Sequence, residues 1–191
     1  SMGTVDFKTE FISTFDIVPP SSRSQKGTPL TAELLDVIYT TGRGRNTFFD
    51  YRLKTSNFPE KAAFINQRIQ SLYELINKQF KATNKTIEID VHTNKLIFKQ
   101  GRDIIQLEDL SAGEKQFLLI IFKVFLMEEQ SYVLLMDEPE ISLDIDWQFD
   151  LINIIRDLNP NCQVIISTHS PSIFGDGWGD RVIYMEDILQ L

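Results

Sequence analysis

The sequence predicts an α/β chain in which parallel core strands are flanked by helices, with a small antiparallel β hairpin beside them. Three observations carry that expectation. Tyr132-Val133-Leu134-Leu135-Met136 and Val164-Ile165-Ile166 are apolar runs of strand length that end abruptly in polar residues, the pattern of strands buried on both faces. Between them, Ile145 to Asn159 places Phe149, Ile152, Ile155 and Leu158 at helical spacing, which supplies the crossover that two parallel neighbours require. After Asn84 the pattern switches to a period of two, as a hairpin demands. The two core strands then deliver Asp137, Glu138 and His169 to one edge of a sheet, where open α/β sheets bind ligands.

Taken in order, Ser1-Met2-Gly3 reads as an expression scar and not as a signal peptide, which needs a basic start and an apolar stretch. Phe7 to Val18 mixes aromatic and β-branched residues and is predicted as a strand ended by Pro19-Pro20. Residues 21–29 hold no hydrophobe, so the region near 20–30 is predicted as a mobile surface loop. Thr31 to Tyr39 is a predicted helix, with Thr31 as N-cap and Leu34, Leu35 and Ile38 on one side. Gly42, Arg43, Gly44 and Arg45 tempt a phosphate-loop reading. Neither Gly-Lys-Ser/Thr nor an apolar helix is evident after them, so an exposed turn is preferred.

From Asn57 to Phe80 the residues Ala62, Ile65, Ile69, Leu72, Ile76 and Phe80 recur at steps of three and four, predicting one long helix. Thr86 to Val91 and Lys95 to Lys99 then pair through a turn at His92-Thr93-Asn94, with Ile104 to Leu107 as a third strand. His92 is read as a turn residue. Residues 4–109 thus form a helical and β-hairpin region, and residues 110–191 hold the motifs.

Leu110-Ser111-Ala112-Gly113-Glu114-Lys115-Gln116 opens the motif region. Ser111 and Glu114 match a capping box, which starts a helix. The same geometry leaves backbone N–H groups and the positive end of a helix dipole facing an approaching anion, and the two readings are compatible. The helix that follows, Phe117 to Leu126, is apolar nearly all round, so it is expected between two layers.

Read together, these segments resemble the second half of an ABC-type ATPase. Leu110 to Gln116 looks like its signature, Tyr132 to Glu138 like a Walker B strand with its catalytic glutamate, Ser142-Leu143-Asp144 like a D-loop and His169 like the switch histidine. Ala112, Glu114 and Glu140 stand where transporter ATPases usually carry other residues. They bring the chain closer to the soluble SMC-like, recombination-repair and overcoming-lysogenization-defect types. The resemblance implies a P-loop NTPase-like layered fold, ATP and Mg²⁺. It implies that Asp137 holds the metal, Glu138 polarises the attacking water and His169 contacts the γ-phosphate. Asp144 would couple two sites, while Ser111, Ala112, Gly113 and Glu114 would complete the nucleotide site of a second copy in a head-to-tail homodimer. The plainer readings are Asp137 or Asp144 as helix caps and His169 as a buried, hydrogen-bonded residue.

No Gly-x-x-x-x-Gly-Lys-Ser/Thr occurs in the sequence, and without that loop nothing cradles the α- and β-phosphates. The expectation is therefore the C-terminal part of a longer ATPase, its fold incomplete without an N-terminal P-loop portion, whose head closure gates an effector protein or acts on nucleic acid. The alternatives are a non-enzymatic dimerisation module or, less favoured, a transporter's nucleotide-binding subunit. Charge is uneven: 15 Lys and Arg oppose 13 Asp and Glu through Leu110, against 4 and 14 from Ser111 onward. The acidic half calls for cations nearby, and it is a poor duplex-binding surface. No run reaches membrane-spanning length, the longest being broken at Lys123. The single cysteine, Cys162, excludes an internal disulfide framework and fits a reducing, cytoplasmic setting.

Overall fold

A computed structural model describes residues 8–13, 28–40, 46–175 and 177–189. The expected expression scar, most of the loop near 20–30 and the Gly42–Arg45 turn lie outside the described residues. In chain order the elements begin with β1 (Lys8–Ser13), α1 (Pro29–Tyr39), α2 (Phe48–Asn57), α3 (Ala62–Gln79), β2 (Lys85–Ile89) and β3 (Leu96–Gln100). They continue with β4 (Asp103–Gln106), α4 (Ala112–Leu126), β5 (Tyr132–Asp137), α5 (Ile145–Leu158), β6 (Cys162–Ser167) and α6 (Met185–Ile188). The chain divides into two compact units, residues 1–15 with 129–191 and residues 16–128.

The first unit holds an all-parallel sheet in the order β1-β5-β6. Its register aligns Ser13, Asp137 and Ser167 across the three strands, so their C-terminal tips end level. The expectation that β5 is buried on both faces is corrected. Leu134 and Met136 are buried while their neighbours Val133 and Leu135 are only partly covered. On the outer face Phe11 and Ile165 are each 50% exposed. The α5 face is also corrected, because Phe149 is exposed and the buried stripe is Trp147, Leu151, Ile154 and Ile155. Trp147 dominates that stripe through its size, which rotates the helix by about one position from the predicted face.

In the second unit, α4 packs on α1 and α2 and is buried from Gly113 to Phe125. Phe48 meets Phe122 edge to face at 4.9 Å, and Tyr51 meets Phe125 likewise at 4.9 Å. The two lysines on α4 are satisfied at their tips: Lys123 Nζ lies 2.7 Å from Glu33 Oε1 and Lys115 Nζ donates to the Glu108 carbonyl. β2, β3 and β4 form an antiparallel meander, and the turn at His92 is held by its N–H donating to Asp90 Oδ1 at 2.8 Å.

Two helix starts differ from the predicted ones. The N-cap of α1 is Thr28, whose hydroxyl accepts from the Thr31 N–H at 3.3 Å, because Pro29 has no N–H and fits the first helical turn. The long helix predicted from Asn57 is interrupted. α2 ends at Asn57, and Phe58 is driven to φ −133° and ψ 75° ahead of Pro59; after a 3₁₀ turn, α3 begins at Ala62. α2, which the periodicity did not predict, follows the glycine-arginine segment and is not the apolar helix that a phosphate loop would need. It carries only two buried residues, Phe48 and Tyr51, and starts with a capping box between Thr47 and Asp50.

Candidate functional site

The strand tips of the first unit build the site. β5 is pulled to a stop where the Glu138 N–H donates to the Ser167 carbonyl at 2.8 Å, tying the tips of β5 and β6 together. Pro139 cannot extend the ladder. Glu138 adopts φ +48°, a left-handed conformation that costs a β-carbon-bearing residue about 1–2 kcal/mol. Glu138 Oε1 lies 3.3 Å from His169 Nε2, with the Glu138 side chain 15% exposed and that of His169 94% exposed. Partial burial, then the neighbouring Glu140 carboxylate, pushes Glu138 above the ordinary carboxylate range, with His169 pulling the other way.

Glu140 is engaged differently. Its Oε1 accepts from the Thr168 hydroxyl, from the His169 N–H at 3.0 Å and from the Ser170 N–H at 3.1 Å. Burial opposes ionisation here, but these donors outweigh it and hold Glu140 below the ordinary range. Glu140 Oε2 is buried without a hydrogen-bond donor. On the far side of the loop, the Ser170 hydroxyl donates to Gln148 Oε1 at 2.7 Å, and Gln148 Nε2 donates to the Leu143 carbonyl at 3.0 Å. Asp144 caps α5, accepting from the Asp146 N–H at 2.9 Å, and Ser142 at φ +72° makes the turn before it.

Among the described residues no group of three or more His, Cys, Asp or Glu side chains makes a metal cage. Asp137 at the tip of β5, next to Glu138, suits instead an ion that takes one or two carboxylates and draws its other oxygens from phosphates and water, which is the habit of Mg²⁺.

In the second unit the start of α4 forms the expected capping box. Ser111 Oγ accepts from the Glu114 N–H at 3.2 Å and the Ser111 N–H donates to Glu114 Oε2 at 2.9 Å. Ser111 and Ala112 are exposed, Gly113 is buried, and Glu114 is only 2% exposed. Glu114 Oε1 meets Lys85 Nζ of β2 at 2.6 Å.

The sequence brought Asp137, Glu138 and His169 to one edge, and the coordinates place them there. It used Glu140 only as a mark of the motif variant and passed over Gln148, Thr168, Ser170 and Lys85. Signals for some were present: Gln148 is a polar residue beside the buried stripe of an amphipathic helix, and His169 is flanked by hydroxyl residues on both sides.

A parallel sheet with an acidic pair and an imidazole at its level tips is the setting in which open α/β sheets bind ligands. Residues 8–175 match the family described as "AAA domain, putative AbiEii toxin, Type IV TA system", and the chain belongs to that family. The galactose/methyl galactoside import ATP-binding protein MglA of Clostridium tetani is 29% identical over 140 residues, covering 71% of this chain and 27% of that protein. An uncharacterized ABC transporter ATP-binding protein of Haemophilus influenzae is 43% identical over 63 residues, covering 32% of this chain and 23% of that protein. The chain thus spans about a quarter of the length of these relatives. Among solved structures, an Smc head bound to the C-winged helix domain of ScpA matches with TM-score 0.48 at 15% identity, over 83% of this chain and 56% of that one. Among the described residues no helix is long and apolar enough to cross a membrane.

Proposed function

We propose that this chain supplies the Walker B carboxylates, the switch histidine and the signature of a cytoplasmic ATPase that hydrolyses ATP. The observation that carries the reading is the 3.3 Å approach of Glu138 Oε1 to His169 Nε2 at two hydrogen-bonded strand tips. A water between Glu138 and a γ-phosphate would be oriented by the carboxylate, which accepts its proton as the oxygen attacks phosphorus. The raised proton affinity of Glu138 favours that transfer. His169, with its side chain open to solvent, is free to donate to a γ-phosphate oxygen. Asp137 would hold Mg²⁺ here, and the chemistry that ion supplies is neutralisation of charge on the phosphates.

Ser111, Ala112 and Gly113 present the helix start to the nucleotide of a second copy in a head-to-tail dimer. Glu114 serves that site indirectly, by fixing Ser111, since both its oxygens are engaged within its own unit. Asp144, at the N-terminus of α5, sits in the segment that would couple the two sites. The cradle for the α- and β-phosphates comes from an N-terminal P-loop portion of the same ATPase. Head closure on ATP would gate an attached effector or act on nucleic acid, in a DNA-repair or antiphage-defence setting.

The test is ATP turnover. The 191-residue chain alone is expected to turn over little ATP, and joining it to the P-loop portion is expected to restore activity. In that assembly Glu138→Gln should cut kcat by about 10²–10⁴-fold while leaving nucleotide binding in place. Vigorous hydrolysis by the chain alone, or a Glu138→Gln enzyme as fast as wild type, would overturn the reading.

A further inference from the structure

We propose that Glu140 and Gln148 are positioning residues that hold the histidine loop, and through its backbone His169, in register with Glu138 and with the Ser142–Asp144 turn. The inference rests on the ATPase reading above and assigns two residues to it that act on nothing but the protein.

The argument begins with what holds His169. Its side chain is 94% exposed, so packing does not set where the imidazole ring points, and its aim depends on the Glu138 carboxylate 3.3 Å away and on the backbone beneath it. Glu140 is the side chain that reaches across to that backbone, and the Ser170 N–H is shared with Thr168 Oγ1 at 2.9 Å. Glu140 Oε1 collects donors from three consecutive residues, Thr168, His169 and Ser170. Hydrogen bonds to an ionised acceptor are the stronger kind, and the depressed proton affinity of Glu140 keeps the acceptor charged. Three donors from consecutive residues on one oxygen fix that loop directly. Glu140 also belongs to the turn that leaves Glu138, with the Leu143 N–H donating to its carbonyl at 2.9 Å. One residue therefore sets the histidine loop and the segment following the catalytic glutamate against each other.

Gln148 closes the arrangement from α5. It joins the Ser170 hydroxyl to the Leu143 carbonyl, and its own N–H donates to the Asp144 carbonyl at 3.0 Å. A displacement of the Ser142–Asp144 turn, which the dimer reading places at the partner copy, would reach the histidine loop through two side chains. Misplacement of a reacting group by about 1 Å costs on the order of 10²-fold in rate, so a fastening of this kind has leverage.

Two measurements test this. In the assembly that turns over ATP in a Glu138-dependent way, Glu140→Ala is expected to lower kcat about tenfold or more with KM for ATP changed less than about twofold. Added to His169→Ala it should cost less than it does alone, the remainder being its direct effect on the neighbouring Glu138 carboxyl. Glu140→Gln keeps an acceptor oxygen and should recover part of the loss. Gln148→Ala should reproduce a smaller part of it. Independently, hydrogen exchange in the 191-residue chain should show the His169 amide exchanging about tenfold faster in Glu140→Ala and less so in Glu140→Gln, with the Ser170 amide, which keeps Thr168 Oγ1, moving less. The proposal fails if kcat is unmoved, if the Glu140 and His169 penalties multiply in full, or if the His169 amide exchanges as in wild type. Absence of any Glu138-dependent turnover would instead sink the ATPase reading and the catalytic half of the proposal, while the exchange measurement still decides whether Glu140 holds the loop.

Discussion

At the start of α4, Glu114 satisfies a backbone N–H and a lysine at once while shut away from water. Burial alone would raise its proton affinity, yet Lys85 and Ser111 outweigh that and hold it below its ordinary value of 4.5. The folded carboxyl is thus harder to protonate than the unfolded one. Its contribution to stability is full above the unfolded value and is lost as pH falls through the folded one. Denaturation of wild type and Glu114→Gln should show a constant gap from about pH 6 to 8 that narrows as pH falls below about 4.5. A gap indifferent to pH would contradict the account. Removing both cap and ion-pair partner with Glu114→Ala leaves Lys85 half-buried and unpaired, a change expected to cost about 2–4 kcal/mol.

The elements differ in how far their sequences reveal them. β5, β6 and α5 announce themselves because an apolar run, a stop and a 3.6-residue period are all local, and the tips follow from the run lengths. α2 is hidden: Phe48-Phe49-Asp50-Tyr51-Arg52-Leu53 alternates sides without a clean stripe, and its evidence lies in the Thr47–Asp50 cap, which is visible only when caps are sought apart from periodicity. Burial of the sheet was also misjudged, because an apolar run does not say which neighbours exist to cover it. The hydrogen bonds of Glu140 with 168–170 span about 30 positions in sequence, and no local pattern encodes them. At this scale the aromatic contacts between α2 and α4 carry a prediction. Phe125 is 1% exposed, stacks edge to face on Tyr51 and lies 4.9 Å below the Arg68 guanidinium. Phe125→Ala should lose about 3–5 kcal/mol in denaturant titrations; a loss under about 1 kcal/mol would mean that the α2 contact is not part of the core.

At the scale of the whole molecule, the described residues present apolar surface in several places. Phe11 and Ile165 lie on the outer face of the parallel sheet, and Ile183, Tyr184, Met185 and Leu189 are each well exposed near the described C-terminal end. Strands β1 and β6 are edges of the sheet among the described residues. Hydrophobes exposed on a sheet face favour association. Sedimentation of the 191-residue chain should therefore show concentration-dependent self-association, which Ile165→Lys weakens; a monomer at all concentrations would argue against it. The left-handed backbone at Glu138 has a wider consequence. Glycine would sit there without penalty, so any search for more heat-resistant variants is drawn toward discarding the one carboxylate on which hydrolysis is proposed to depend. Ruggedness and chemistry compete for a single position, and a lineage that gave up catalysis would be free to relax it.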